Sequence, residues 1–167
     1  MLISDEYKKL GSLLHETDIE YGDGKPWLRH RVLETVKWSQ SNSILDYGAG
    51  KCILAKSLPL LSIKSYDPCV PGIDNKPEPA DLLVSCCVLE HVEPECLDDV
   101  LDDMRRCSLK AALIIVTTVP SSKILNDGRN AHLIINSIDW WMPYIMKRWK
   151  LHSATIIDRG FKCIVKV

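Results

Sequence analysis

Ser43-Ile44-Leu45-Asp46-Tyr47-Gly48-Ala49-Gly50-Lys51-Cys52 is the stretch around which the chain is organised. A short apolar run ends in an acid, two glycines follow two apart, and a helical pattern begins at Ile53 and Leu54. Strand, tight turn and helix in that order form a ligand-binding corner. Glycine has no Cβ, so Gly48 and Gly50 are free to take positive φ and to let a ligand approach the backbone. The helix start beyond them is expected to offer unpaired N–H groups and a partial positive charge.

A second acid belongs to the same corner. Ser62 to Tyr66 reads as the next strand and ends in Asp67, twenty-one residues after Asp46. An ionised carboxylate at that strand end is an acceptor for both hydroxyls of a ribose. The plainer alternative is a loop acid capping a turn before Pro68; the register with Asp46 and the glycines favours the binding role. A dinucleotide fingerprint, G-x-G-x-x-G, would require glycine where Ile53 stands. Asp46-x-Gly48-x-Gly50 instead resembles the first motif of class I S-adenosylmethionine (SAM) dependent methyltransferases, with Cys52 where that family often has a third glycine.

Length and composition set the frame. The 167 residues fit a single domain, with N-terminal helices over 1–42 and the α/β core over 43–167. A 46% apolar and 26% charged chain with net charge −1 gives no electrostatic reason to expect a nucleic-acid partner. The N-terminus turns acidic too early for a signal peptide, and no apolar run is long enough to span a membrane. The seven cysteines contain no C-x-x-C pair, so free thiols in a reducing cytoplasm are expected and no metal site is. Cys86 and Cys87 read as strand packing rather than a zinc site.

Around the corner the elements follow from periodicity. Ser4 caps a first helix whose Tyr7, Leu10, Leu13 and Leu14 share one face. A glycine- and proline-bearing loop, 20–26, leads to a second helix with Pro26 in its first turn and Leu28, Val32, Leu33 and Val36 inward. After Asp67, four prolines make Pro68–Ala80 a loop too short for a crossover helix and strand. Asp81–Cys86 is a buried strand, Pro94–Ser108 an amphipathic helix, and Ala111–Val119 another buried strand. A helix from about Ser137 carries an aromatic stripe, Trp140, Trp141, Tyr144 and Trp149, that reads as core. Leu151–Ile157 and Phe161–Val167 close the chain as an antiparallel hairpin.

Glu90-His91-Val92-Glu93-Pro94 and the block Asp127-Gly128-Arg129-Asn130-Ala131-His132, taken with Asp46-Tyr47-Gly48, are similar to small stand-alone bacterial and phage methyltransferase-type proteins. The resemblance implies an α/β, Rossmann-like class I methyltransferase fold: a mostly parallel sheet, an antiparallel C-terminal hairpin strand, and one strand and helix missing after the second strand. It implies SAM as cofactor, held by Asp46, Tyr47, Gly48, Ala49, Gly50, Asp67, Pro68, Ser85, Cys86 and His91. The expected reaction is methyl transfer to an acceptor, more readily a small molecule or protein than nucleic acid. His132 is the candidate base, Asp127 the second candidate, and Arg129 a clamp for an anionic group on the acceptor or the cofactor. Two rivals stand beside this reading: a module of the same fold that binds SAM or a partner without turnover, and an NAD(P)-dependent reductase.

Overall fold

A computed structural model describes residues 1–22 and 27–167. Pro26, expected in the first turn of the second helix, lies outside the described residues. The elements run α1 (Asp5–Thr17), α2 (Leu28–Ser39), β1 (Ile44–Tyr47), α3 (Ile53–Ser57), β2 (Ile63–Tyr66), β3 (Ala80–Cys86), α4 (Leu97–Cys107), β4 (Ser108–Thr117), α5 (Ile138–Met146), β5 (Lys150–Ile157) and β6 (Gly160–Lys166). They build a six-stranded sheet in the order β2-β1-β3-β4-β6-β5. The first four strands of that order pair in parallel, and β6 runs antiparallel to both β4 and β5.

Alternation along the strands sorts side chains between two faces. Leu45, Tyr47, Leu83, Ile114 and Val116 point to one face and pack against α4 and α5. Ile44, Leu82, Val84, Leu113 and Ile115 point to the other, against α2 and α3. On α4 the expected Leu97, Val100, Leu101 and Met104 are buried, and Cys107 joins them. A 3₁₀ turn at Pro94–Cys96 precedes α4, so the expected helix begins one turn late. In the aromatic stripe Trp141 and Trp149 are core, while Trp140 and Tyr144 pack against its margin. Leu33 departs from expectation. It is 39% exposed, and Thr35 takes the buried place beside Leu28 and Val32.

The shortened middle leaves β2 at the sheet edge, where it pairs with β1 alone. Its four residues and exposed Lys64 blunt the edge against further pairing. Amides of Ile63–Tyr66 are therefore expected to exchange in alternation, fast where they face away from β1. Slow exchange of all four, read by hydrogen-exchange NMR, would show that the edge is covered. The opposite edge, β5, carries a register break between Leu151 and Ser153, and a break of that kind twists an edge away from new partners.

Helix α1 lies over the loop that replaces the missing strand and helix. Ser4 Oγ accepts from Tyr7 N (3.0 Å) as the expected cap, and the same hydroxyl donates to Glu93 Oε1 (2.6 Å). Ser12 Oγ donates to Cys69 O, and Lys8 pairs with Asp74 at 3.0 Å. Gly11 is required by this approach, since a Cβ there would stand 2.5 Å from Cys69 Sγ.

Candidate functional site

The corner after β1 forms as expected but closes on itself. Gly48 (φ +81°) and Gly50 (φ +49°) take left-handed backbone. Gly48 and Ala49 N–H both donate to Tyr66 O, at 2.8 and 2.9 Å. Gly50 N donates to Asp67 Oδ2 at 3.0 Å, Lys51 N to Gly22 O, and Cys52 N to Ala49 O. All five N–H groups of the turn are thus spent within the protein. The unpaired donors expected at the helix start belong to the residues beyond this turn, from Ile53 of the five-residue α3, and the pairing of the turn does not involve them.

The glycines also admit protein rather than open space. A Cβ on Gly48 would meet Val88 Cγ2 at 2.3 Å, and one on Gly50 would meet Gly22 O at 2.7 Å. The segment from the end of α1 to Gly22 therefore rests on the turn. The rings of His15, in the last turn of α1, and of Tyr21 pack edge to face, and Tyr21 packs in the same manner on His91. Neither His15 nor Tyr21 carried a sequence signal; their place follows from Gly22 docking on Gly50.

Beneath this cover lies a cavity of about 900 Å³. Asp46, Gly48, Gly50 and Asp67 line one part of it, with Pro68 and Cys69 beside them. Cys86, Cys87, Val88 and His91 form the wall at the end of β3, and His132 stands past His91. Trp27, Arg31, Arg159 and Lys162 line the cavity as well. Asp67 is 7% exposed, and its Oδ1 accepts from Cys69 N at 2.9 Å. Burial, and then the charge of Asp67, lift the Asp46 carboxyl to about 7.

Glu90, His91 and His132 converge although His132 comes from a distant loop. Glu90 is fully buried; its Oε1 accepts from Thr117 N (2.9 Å), and its Oε2 is buried with no partner. Burial lifts its carboxyl to about 8, with the neighbouring Cys87 adding to the effect. His91 Nδ1 stands 2.7 Å from Ala131 O, and His132 Nδ1 stands 2.6 Å from Val119 O. A carbonyl only accepts, so both Nδ1 atoms carry the hydrogen and each neutral ring keeps its lone pair on Nε2. The rings lie 4.7 Å apart, nearly perpendicular. Burial and the neighbouring His132 push His91 down to about 3, and burial lowers His132 as well.

Three residues named from the sequence stand elsewhere. Ser85 faces the α4–α5 side of the sheet and is fully buried away from the cavity lining, because alternation along β3 puts it with Leu83. Asp127 and Arg129 pair with each other at 2.6 Å on the protein surface. They line a separate depression with Ser4, Glu6, Glu93 and Glu95. The reason is local. Ile124 bridges Asn130, Leu125 N bonds Arg129 O, and Gly128 turns at φ +88°, so Asp127 and Arg129 sit at a hairpin tip while His132 lies at its base. Tyr47 reaches the cavity with part of its surface, but its ring packs on Tyr66 and its hydroxyl donates to Asp103 Oδ2 (3.1 Å).

Comparison with solved structures places this architecture. The N-methyltransferase NodS from Bradyrhizobium japonicum WM9, in complex with S-adenosyl-L-homocysteine, matches with a TM-score of 0.65 at 12% identity, covering 97% of this chain and 98% of that one. The magnesium protoporphyrin IX methyltransferase ChlM from Synechocystis PCC 6803, with bound S-adenosylhomocysteine, matches at 0.65 and 11%, with the same coverage of 97% and 98%. An O-methyltransferase family protein from Burkholderia thailandensis matches at 0.62 and 10%; 99% of this chain covers 63% of that longer one. No protein-family model and no curated protein matches the sequence. The chain has the class I SAM-dependent methyltransferase fold, in a compact form.

Proposed function

We propose that the protein is a SAM-dependent methyltransferase whose cofactor occupies the Asp46–Asp67 end of the cavity. The observation that carries this reading is the pair of acids, Asp46 and Asp67, that the turn sets on the cavity wall. A dinucleotide would bring a pyrophosphate to the glycine turn itself, whose own N–H groups are paired. SAM brings ribose hydroxyls and positive charge, and the corner offers acceptors. Asp67 uses one lone pair on each oxygen for Gly50 and Cys69, which leaves capacity for both ribose hydroxyls. Asp46 sets a carboxylate on the same wall, where a cation would favour its ionised form. Tyr7 and Gly11 of α1, with Pro68 and Cys69, are placed to cover the adenine that the missing strand and helix would otherwise contact.

SAM supplies an already activated methyl group on a sulfonium, so the protein's task is to orient two partners in a dry site. The remaining cavity, between His132 and the wall of Arg31, Arg159 and Lys162, receives the acceptor. His132 lines the cavity, and Asp127 and Arg129, which do not, have no part in the step.

Calorimetric titration with SAM, S-adenosylhomocysteine and NAD tests this directly. SAM and S-adenosylhomocysteine are expected to bind and NAD not. Asp67→Ala should weaken SAM by roughly 1.5–3 kcal/mol, about 10- to 150-fold, through loss of a charged acceptor. Unchanged affinity in the folded variant would remove the cofactor from this corner.

A further inference from the structure

We propose that Glu90, His91 and His132 form a binding site for one divalent transition-metal cation on the wall of the cavity. One donor atom from each lies within 4.8 Å of the donors of the other two. Two further observations point to a ligand. Glu90 Oε2 is buried and unpartnered, and an unpaired buried carboxylate oxygen is costly unless something binds it. Both imidazoles donate Nδ1–H to backbone carbonyls, the arrangement that fixes a metal-binding histidine and presents Nε2. Thr117 N fixes Glu90 through its other oxygen, so the free oxygen has a defined position.

The cysteine spacing gave no hint of this site, because its ligands are not cysteines. Bonds of about 2.0–2.2 Å would bring the three donors to roughly 3–3.5 Å apart, a small side-chain adjustment from the present separation. Two imidazoles and one carboxylate suit Mn²⁺, Fe²⁺, Co²⁺ or Zn²⁺ rather than Mg²⁺ or Ca²⁺, which prefer all-oxygen sets. Three protein donors leave coordination positions open. His91 and His132 both line the cavity, so those positions are within reach of a molecule in it.

The cation's role rests on the methyltransferase reading above. It holds an acceptor hydroxyl and lowers its pKa. The oxygen's electron pair then forms the new bond to the methyl carbon, the S–C pair stays on sulfur, and the hydroxyl proton leaves to solvent. The acceptor class is accordingly an alcohol or phenol, methylated on oxygen.

The test is a Mn²⁺ titration of the metal-stripped protein, with free Mn²⁺ counted by its paramagnetic resonance signal. Wild type should bind one equivalent, displaced by Zn²⁺ at far lower concentration than by Mg²⁺. His132→Gln, on a loop, should weaken binding by about tenfold or more, and Glu90→Gln likewise if it folds. With SAM present, bound Mn²⁺ should broaden the S-methyl proton resonance. No Mn²⁺ uptake by wild type, or uptake by folded His132→Gln equal to wild type, overturns the site. Uptake of Mn²⁺ without any SAM binding overturns the cofactor reading instead and leaves the cation site standing.

Discussion

Gly48→Val is expected to abolish SAM binding and to destabilise the fold by about 3–5 kcal/mol, because two costs fall on one residue. Valine at φ +81° is strained wherever it sits, and its Cβ would stand 2.3 Å from Val88 Cγ2. The side chain has no direction in which to yield, since Gly48 N is held to Tyr66 O by the sheet. Gly48→Ala combined with Val88→Ala removes most of the overlap and keeps the backbone strain, so it should recover about half of the loss. Urea unfolding of the wild type and these two variants separates the two terms. A Gly48→Val protein with wild-type stability and SAM affinity would show that neither the turn nor its contact with Val88 matters.

Asp46→Asn should act in the opposite direction on the ligand-free protein. The carboxyl sits near 7 in the folded chain and near 4 in an unfolded one. Between those values the folded state binds more protons than the unfolded state. Stability therefore falls as pH rises from about 4 to 7, and above 7 the full penalty applies. Asparagine cannot ionise, so at pH 8 the variant should be more stable than wild type by on the order of 2–4 kcal/mol, and near pH 4 the two should converge. Cofactor binding should reverse the ranking. Wild-type affinity for SAM rises with pH through 7 as Asp46 ionises beside the cation, S-adenosylhomocysteine shows less of this, and Asp46→Asn shows none. Parallel stability curves for both proteins across this range would disprove the burial argument.

The corner, the two acids and the shortened middle were legible because each is written locally. An apolar run ending in an acid, glycines two apart and a proline-dense loop restrict the backbone whatever surrounds them. The state of the turn was not legible. Whether Gly48–Cys52 present open donors depends on Tyr66, Asp67 and Gly22, which reach the turn only through the fold. Asp127 and Arg129 were misplaced for a related reason. Position after a strand gives the sheet edge on which a loop begins, but a hairpin within that loop carries its tip away from the edge. His132 does line the cavity, because it lies where the hairpin returns. Leu33 fitted the helical period, yet period alone does not say how wide the buried stripe is.

The loop after β4 is tied to the turn after β3 at two points, Ile134 N to Glu90 O and His91 Nδ1 to Ala131 O, and Thr117 N at the end of β4 adds a bond to Glu90 Oε1. The loop's two ties lie at the hairpin's base, and beyond them the Asp127–Gly128 tip is solvent-facing and, among the described residues, bonded within its own turn. The two halves of one loop therefore differ in what they tolerate. Extra residues spliced in at the tip, or a whole domain grafted there, leave the histidines where they are. A single residue inserted between Asn130 and Ile134 shifts His132 relative to His91 and dismantles the cluster. Lengthening of this loop in related chains should accordingly be confined to its tip.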